Sequence, residues 1–317
     1  VETYESIREW KDRQIMSYLK DTISLNVFHD QVMHKVMDVA KTTAGTPPCD
    51  FTWFITGSGG RKEQGLISDQ DHGIVYEWSS EKNDTYFKTL GDELALGLYV
   101  VGYPYCKGNI MSSNPMWCKS FEQWQEQLGD WLSDEGWEAI RYLQIFFDAR
   151  ALYGNQSYTH QLKSIICEFV RQHPSTLPRF SSNIKHIKNV IGPFGQILVE
   201  RHGPYQGNVN FKYAAFLPYV NAVRLLSIKE CVLETSTLNR MNQLTRLNDY
   251  KKMLQNCEKN FMELLKYRMI LLQKEEYEDT HYLNINNLNK EQLQNMKRIL
   301  KDGKRLHAEV IELTSIS

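Results

Sequence analysis

No apolar run in this 317-residue chain approaches the ~20 residues that a membrane-spanning helix needs, and no signal-peptide pattern opens it, so the cytoplasm is the expected location. Neither sign of charge is in excess. Lys and Arg number 37 against 38 Asp and Glu, a formal net charge of −1, which gives no support for broad nucleic-acid binding through phosphates. The six cysteines, at 49, 106, 118, 167, 231 and 257, form no C-x-x-C pair, which argues against a structural zinc site and reads as reduced core or surface thiols of a cytosolic protein. No G-K-[ST] follows the glycine cluster at 57 to 60, which excludes a Walker phosphate loop, and the kinase glycine-rich loop is absent too. What is present is a 42% hydrophobic composition, enough to bury a sizeable core over two domains.

The most informative stretch runs from Gly57 to Asp71, G-S-G-G-R-K-E-Q-G-L-I-S-D-Q-D. It follows Phe51-Thr52-Trp53-Phe54-Ile55-Thr56, aromatic and β-branched as a buried strand should be, and precedes the apolar Ile74-Val75-Tyr76. Side chains alternate along a strand, so Asp69 and Asp71 share a face while Gln70 points away. Two carboxylates that close repel each other unless a cation sits between them. Gly57, Gly59 and Gly60 admit backbone conformations closed to other residues and let amides approach a phosphate. Ser58 adds a hydroxyl donor, Arg61 a planar fork and Lys62 a point charge for a triphosphate, while Glu63 is expected to fix Arg61 or the strand ends. Mg²⁺, which takes one or two carboxylates plus substrate phosphates, suits such a D-x-D pair beside a phosphate-cradling turn. A D-x-D alone is often a pair of solvated acids, and a G-S-G-G alone is usually a loop. Their order and separation together point to metal-dependent nucleotidyl transfer.

The segment Trp53 to Glu77 resembles the nucleotidyltransferase core of the DNA polymerase β superfamily, in the branch related to the bacterial PII-protein uridylyltransferase. The blocks Tyr105 to Trp117 and Ile145 to Gly154 are similar to the nucleotidyltransferases grouped as domain of unknown function 294, which carry a helical substrate-binding domain. Gly207 to Lys212, Leu217 to Leu226 and Thr235 to Arg240 agree. The resemblance implies an α+β fold: N-terminal helices over 1–45, a small sheet-bearing nucleotidyltransferase core over 46–118, and a helical substrate-binding domain over 119–317. It implies transfer of an NMP group, UMP among the candidates, from an NTP to a protein or small-molecule acceptor with release of pyrophosphate. Asp69 and Asp71 would be the catalytic metal ligands for Mg²⁺ or Mn²⁺, with Gly57, Ser58, Gly60, Arg61 and Lys62 at the nucleotide. Lys107, Asn109, Asp148 and Lys212 fall in matching blocks as substrate contacts without an assigned role. Three departures stand out. Residues 1 to 45 are too short for the regulatory modules that family members often carry, Asn210 stands where an Asp is expected, and no third carboxylate offers itself in Val100 to Met111. The last of these keeps open the alternative of a nucleotide-binding regulatory module that has lost turnover.

Helices are expected over 4 to 20, 24 to 43, 83 to 99, 120 to 132, 135 to 152, 157 to 172, 214 to 230, 236 to 246, 249 to 275 and 289 to 312, from apolar residues at helical spacing. Tyr103 to Met111 reads as a strand or loop returning to the sheet, and Pro174 to Asn210 as the main irregular stretch. Trp117, Trp124, Trp131 and Trp137 read as packing anchors, and His72, on the face opposite Asp71, as structural. The stripe Leu254, Cys257, Phe261, Leu264 and Leu272 reads as core. Asp148 and Arg150, in a predicted apolar helix, need partners if buried; either they pair structurally or Asp148 faces the cleft.

Overall fold

A computed structural model describes residues 2–134, 136–247, 249–270 and 276–315. The fold is α+β and divides into two units, Val1–Glu168 and Phe169–Ser317. No helix among the described residues is long and apolar enough to cross a membrane.

The first unit is built on a four-stranded sheet in the order β3-β2-β1-β4, with β1 at Phe51–Ile55, β2 at His72–Tyr76, β3 at Cys118–Ser120 and β4 at Arg150–Gly154. Strand β1 runs antiparallel to both neighbours, and β2 pairs in parallel with β3. All five residues of β1 are buried, because both sheet faces are covered. On one face, Phe51, Trp53 and Ile55 join a core with α1 (Tyr4–Gln14), α2 (Thr22–Ala44) and α4 (Glu81–Val101). On the other, Phe54 lies edge-on to Trp124 of α5 (Phe121–Ser133) and Phe146 of α6 (Trp137–Phe147), with Trp117 and Trp131 completing the aromatic cluster. The tetrapeptide Gly57–Gly60 forms one short helical turn, α3, directly after β1.

Two expectations change here. The predicted helix 135 to 152 is two elements. α6 ends at Phe147, Asp148 caps it, and Arg150–Gly154 crosses to pair with the free edge of β1. Apolar residues at Phe146, Phe147, Ala149 and Leu152 fit a helical face, but an unpaired β1 edge would leave buried amides and carbonyls unsatisfied, and that cost decides the outcome. Gly154, at φ +86°, closes β4 where a side chain would meet the Phe51 carbonyl. α5, α6 and β4 lie within the unit Val1–Glu168. Trp137 is the exception among the tryptophans: at the first position of α6 it is 68% exposed.

The second unit is helical. Its centre is α9 (Leu217–Lys229), buried nearly all round and entered through a π-helical turn at Lys212–Phe216. Around it stand α8 (Leu177–Ile184, after α7 at Ser157–Gln172), α10 (Thr237–Leu244), α11 (Cys257–Ile270) and α12 (Lys290–Ser315). Leu254, Cys257, Phe261 and Leu264 are buried as their spacing predicts, while Leu272 lies outside the described residues. The helix predicted from 249 begins at 257, after a run of turns. The stretch 174 to 210 is irregular apart from a 3-10 turn at Pro174–Thr176, α8, a single bridge between Ile191 and Ile197 and the edge of a small two-stranded sheet, β5 (Asn208–Asn210) with β6 (Tyr282–Asn284). Asn210 uses its side chain to accept from the Tyr213 amide, so the residue standing in place of an expected acid starts the π turn instead.

Candidate active site

Asp69 and Asp71 lie in the extended segment that leads into β2, not inside the strand, which starts at His72. The alternation expected of a strand holds nevertheless: both acids are half-buried and Gln70 between them is fully buried. Gln70 is the clamp. Its amide donates to the carbonyls of Ala95 and Tyr103 (3.1 Å each), and its Oε1 meets His72 Nε2 at 2.8 Å. His72 Nδ1 in turn accepts from Trp53 Nε1 (3.2 Å) and lies 3.0 Å from Ser112 Oγ. Burial pushes the His72 pKa down to about 3, so the ring is a neutral structural link rather than an acid or base of the site.

Backbone bonds draw the glycine turn and a second loop onto this segment. The Thr56 amide donates to the Asp71 carbonyl (2.9 Å), the Gln70 amide to Pro104 (3.1 Å) and the His72 amide to Ile110 (3.0 Å). Tyr103 to Met111 is therefore a loop hydrogen-bonded to the acid segment, as the sequence allows. Its turn Cys106-Lys107-Gly108-Asn109, closed by Asn109 N to Cys106 O (2.9 Å), carries the thiol of Cys106 to the carboxylates. Ligand atoms of Asp69, Asp71 and Cys106 all lie within 4.8 Å of one another. Burial, then the charge of Asp71 and a hydrogen bond to it, push the Cys106 pKa up to about 12. Cys106 is the group that the sequence did not single out: no motif marks it, and only the loop pairing brings it in.

Gly57 takes φ +56°, and a Cβ there would overlap the Asp71 carboxylate, so the turn and the acid are fitted to each other. The amides of Gly57, Ser58 and Gly59 occupy the first turn of α3, where helix geometry provides no acceptor. The Ser58 hydroxyl is 3.4 Å from that of Ser68. Behind the carboxylates lies a water-sized cavity lined by Thr56, Gly59, Gln64, Asp69, Gln70 and Asp71. Gln64 is 2% exposed, and its Oε1 has no hydrogen-bond partner among the described residues. Lys62 is exposed, at φ +57°. A pair of carboxylates, a thiol, an orphaned buried carbonyl oxygen and a close-fitting glycine together fit a divalent cation beside a phosphate.

Two of the sequence candidates sit deeper. The guanidinium of Arg61 is enclosed, donating from Nε to Glu63 and from Nη1 to Asp148, each at 2.7 Å. Burial opposes its charge, but Glu63 and then Asp148 more than offset this, so its pKa is raised. Asp148 is 1% exposed, and its carbonyl would collide with any Cβ at Gly60. Arg61, Glu63, Asp148 and Gly60 therefore tie α3 to the end of α6 instead of facing an open cleft. Arg150 makes a parallel brace, with a two-pronged pair to Asp30 (2.8 and 3.0 Å) and a bond to the Gly59 carbonyl (3.2 Å). Lys107 and Asn109 are exposed in the Cys106 turn. Lys212 belongs to the second unit, where its Nζ lies 3.1 Å from His281 Nε2 and 3.4 Å from the Tyr277 hydroxyl.

Comparison with known families agrees with this anatomy. Residues 16–138 match the family model described as "Putative nucleotidyltransferase DUF294", and residues 174–312 match "Putative nucleotidyltransferase substrate binding domain". The chain belongs to the DUF294 nucleotidyltransferase family, with both of its domains in order. No curated protein matches the sequence significantly.

Proposed function

We propose that the protein moves an NMP group from an NTP to an acceptor, with release of pyrophosphate, at the site formed by Asp69, Asp71 and the Gly57–Gly60 turn. The single observation that carries this reading is the fit of Gly57 against Asp71, in which the glycine turn abuts a carboxylate of the D-x-D pair. A divalent cation, Mg²⁺ or Mn²⁺, held by Asp69 and Asp71 would supply charge neutralisation for the triphosphate and the attacking oxygen. The chain's own residues then bind and orient. Gly57 and Ser58 seat the triphosphate through amides and a hydroxyl, and exposed Lys62 and Lys107 add positive charge at the rim. Arg61 and Asp148 act at one remove, by fixing the turn. Catalysis of this kind comes from positioning and electrostatics, with no covalent intermediate on the protein.

The acceptor is a protein hydroxyl or a small molecule, recognised with the help of the helical unit. UTP is a leading nucleotide candidate from the resemblance to the PII uridylyltransferase branch, and cytoplasmic work suits the reduced cysteines. A second reading, nucleotide binding without turnover, draws on the metal cluster itself: the third group beside Asp69 and Asp71 among the described residues is a thiol, not a carboxylate. Incubation with each labelled NTP, Mg²⁺ or Mn²⁺ and cell extract, followed by separation of labelled protein from labelled small molecules, decides between them. Label in neither fraction, with NTP still raising the melting temperature, would favour the binding module; no thermal shift with any NTP would end both.

A further inference from the structure

The carboxylate pair is edged by a group that a Mg²⁺ site does not use. Mg²⁺ demands oxygen ligands, whereas thiolate sulfur favours softer divalent ions. We propose that Cys106 is the third protein ligand of the Asp69–Asp71 site, which makes that site selective for a borderline divalent cation, of the Co²⁺ or Zn²⁺ kind, over hard Mg²⁺. This rests on the nucleotidyl-transfer site being where Asp69 and Asp71 place it, and it specifies which metal that site takes.

Three features support it. Ligand atoms at the usual ~2.0–2.3 Å from one ion stand roughly 3–4.5 Å from each other. The oxygens of Asp69 and Asp71 and the Cys106 sulfur all lie within 4.8 Å of one another, so side-chain shifts of tenths of an ångström close the shell. The sulfur is also held in place: Pro104 and Ile110, on either side of Cys106, accept backbone bonds from Gln70 and His72, on either side of Asp71. Finally, Gln64, 2% exposed with its Oε1 unpartnered among the described residues, lines the cavity that Asp69 and Asp71 also line, a neutral oxygen donor behind the same carboxylates. Binding replaces the thiol proton by the metal, and that proton leaves to solvent.

Cobalt is a direct probe, because a Co²⁺–thiolate bond gives a charge-transfer absorption band that a Co²⁺–carboxylate bond does not. Titrating the full chain with Co²⁺ should develop that band. Cys106→Ser should abolish it and weaken Co²⁺ binding by at least about 10-fold, the smallest loss expected even when a group that merely supports a ligand is removed. Its Mg²⁺ affinity should change by less than about threefold, since Mg²⁺ takes its ligands from oxygen. Co²⁺ binding that depends on Asp69 and Asp71 but shows no band, or a band that persists in Cys106→Ser, would overturn the role of Cys106 and leave the carboxylate site standing. Failure of Co²⁺, Mn²⁺ and Mg²⁺ alike to bind, with Asp69→Asn/Asp71→Asn no different from wild type, would overturn the carboxylate site and this inference with it.

Discussion

Around the glycine turn of the first unit and at the centre of the second, the buried polar contacts differ. In the first, buried charges are paired with charges: Glu63–Arg61–Asp148 forms a chain with 2.7 Å contacts, and Asp30–Arg150 a two-pronged brace beside it. In the second, the central polar contacts are mostly neutral. Tyr219 donates to the Ile299 carbonyl at 2.7 Å, Asn260 donates to the Tyr219 hydroxyl at 3.3 Å and to Asp302 at 2.8 Å, and His307 reaches the Ile184 carbonyl at 2.9 Å. Ion pairs give little net stability when buried, since desolvation consumes their attraction, but they fix geometry and are costly to break singly. The first unit places them at the C-terminal end of α3, the turn that has to hold its shape beside two carboxylates. At the centre of the second unit, helix packing is joined by these hydrogen bonds.

The sharpest way to break this comparison is at the carboxylates themselves. Asp69→Asn with Asp71→Asn should reduce NMP transfer by at least ~10³-fold, the loss expected when charge stabilisation is removed from a transition state. Its melting temperature without metal should equal or exceed that of wild type, because the repulsion between the half-buried acids is relieved. Transfer persisting in the double variant would show that the site lies elsewhere. Next in size is the buried chain. Asp148→Asn leaves the Arg61 charge half-paired, and should cost about 3 kcal/mol of stability in urea unfolding, within the range for breaking a buried pair. Normal stability with lost transfer would instead return Asp148 to the cleft as a substrate contact.

How much of this was legible in the sequence follows from how local each feature is. The strand, glycine turn and D-x-D share about twenty residues, and the alternation of the D-x-D survives in three dimensions, even though Asp69 and Asp71 fall just before β2. Arg61 has a partner 87 residues away, and nothing in G-G-R-K-E distinguishes a guanidinium offered to phosphate from one offered to Asp148. The run from Ile145 to Leu152 satisfies helix and strand periods alike, and the unpaired edge of β1 decides between them. Cys106 is illegible for another reason. Its place depends on two backbone bonds between the Tyr103–Met111 loop and the acid segment, so only the fold brings the thiol to the acids.

In the second unit, the histidine buried at the α8–α12 contact offers a smaller test. Burial lowers the His307 pKa, so the folded state holds it neutral while the unfolded chain protonates it near its ordinary value of about 6.5. The unfolded state therefore binds more protons below that pH, and the contribution is complete above ~6.5 and declines as pH falls, by no more than about 1.4 kcal/mol per unit. His307→Gln removes the titration. Urea unfolding of the two proteins should give a stability difference that shrinks from pH 7 to pH 5; a difference independent of pH would mean that burial does not lower the His307 pKa.

The smallest expected effect falls on Lys62, which separates charge used for structure from charge left for a ligand within the first unit. Its neighbour Arg61 is enclosed by two carboxylates, whereas Lys62 is exposed at the exit of α3. An exposed lysine near a triphosphate acts through a partly screened charge worth about 1 kcal/mol, so Lys62→Gln should weaken NTP binding about fivefold. Because Lys62 takes a left-handed backbone, φ +57°, the replacement must tolerate that conformation; Lys62→Gly, which favours it, should show the same loss of affinity without the strain. Stability should stay within ~0.5 kcal/mol in either variant, as is usual at the surface. The weakening should also fade at high salt, since exposed charges are screened over about 10 Å at 0.1 M. An NTP affinity unchanged in both variants at low salt would place the triphosphate away from the exit of the turn, and would shift the burden of binding to Gly57, Ser58 and the metal alone.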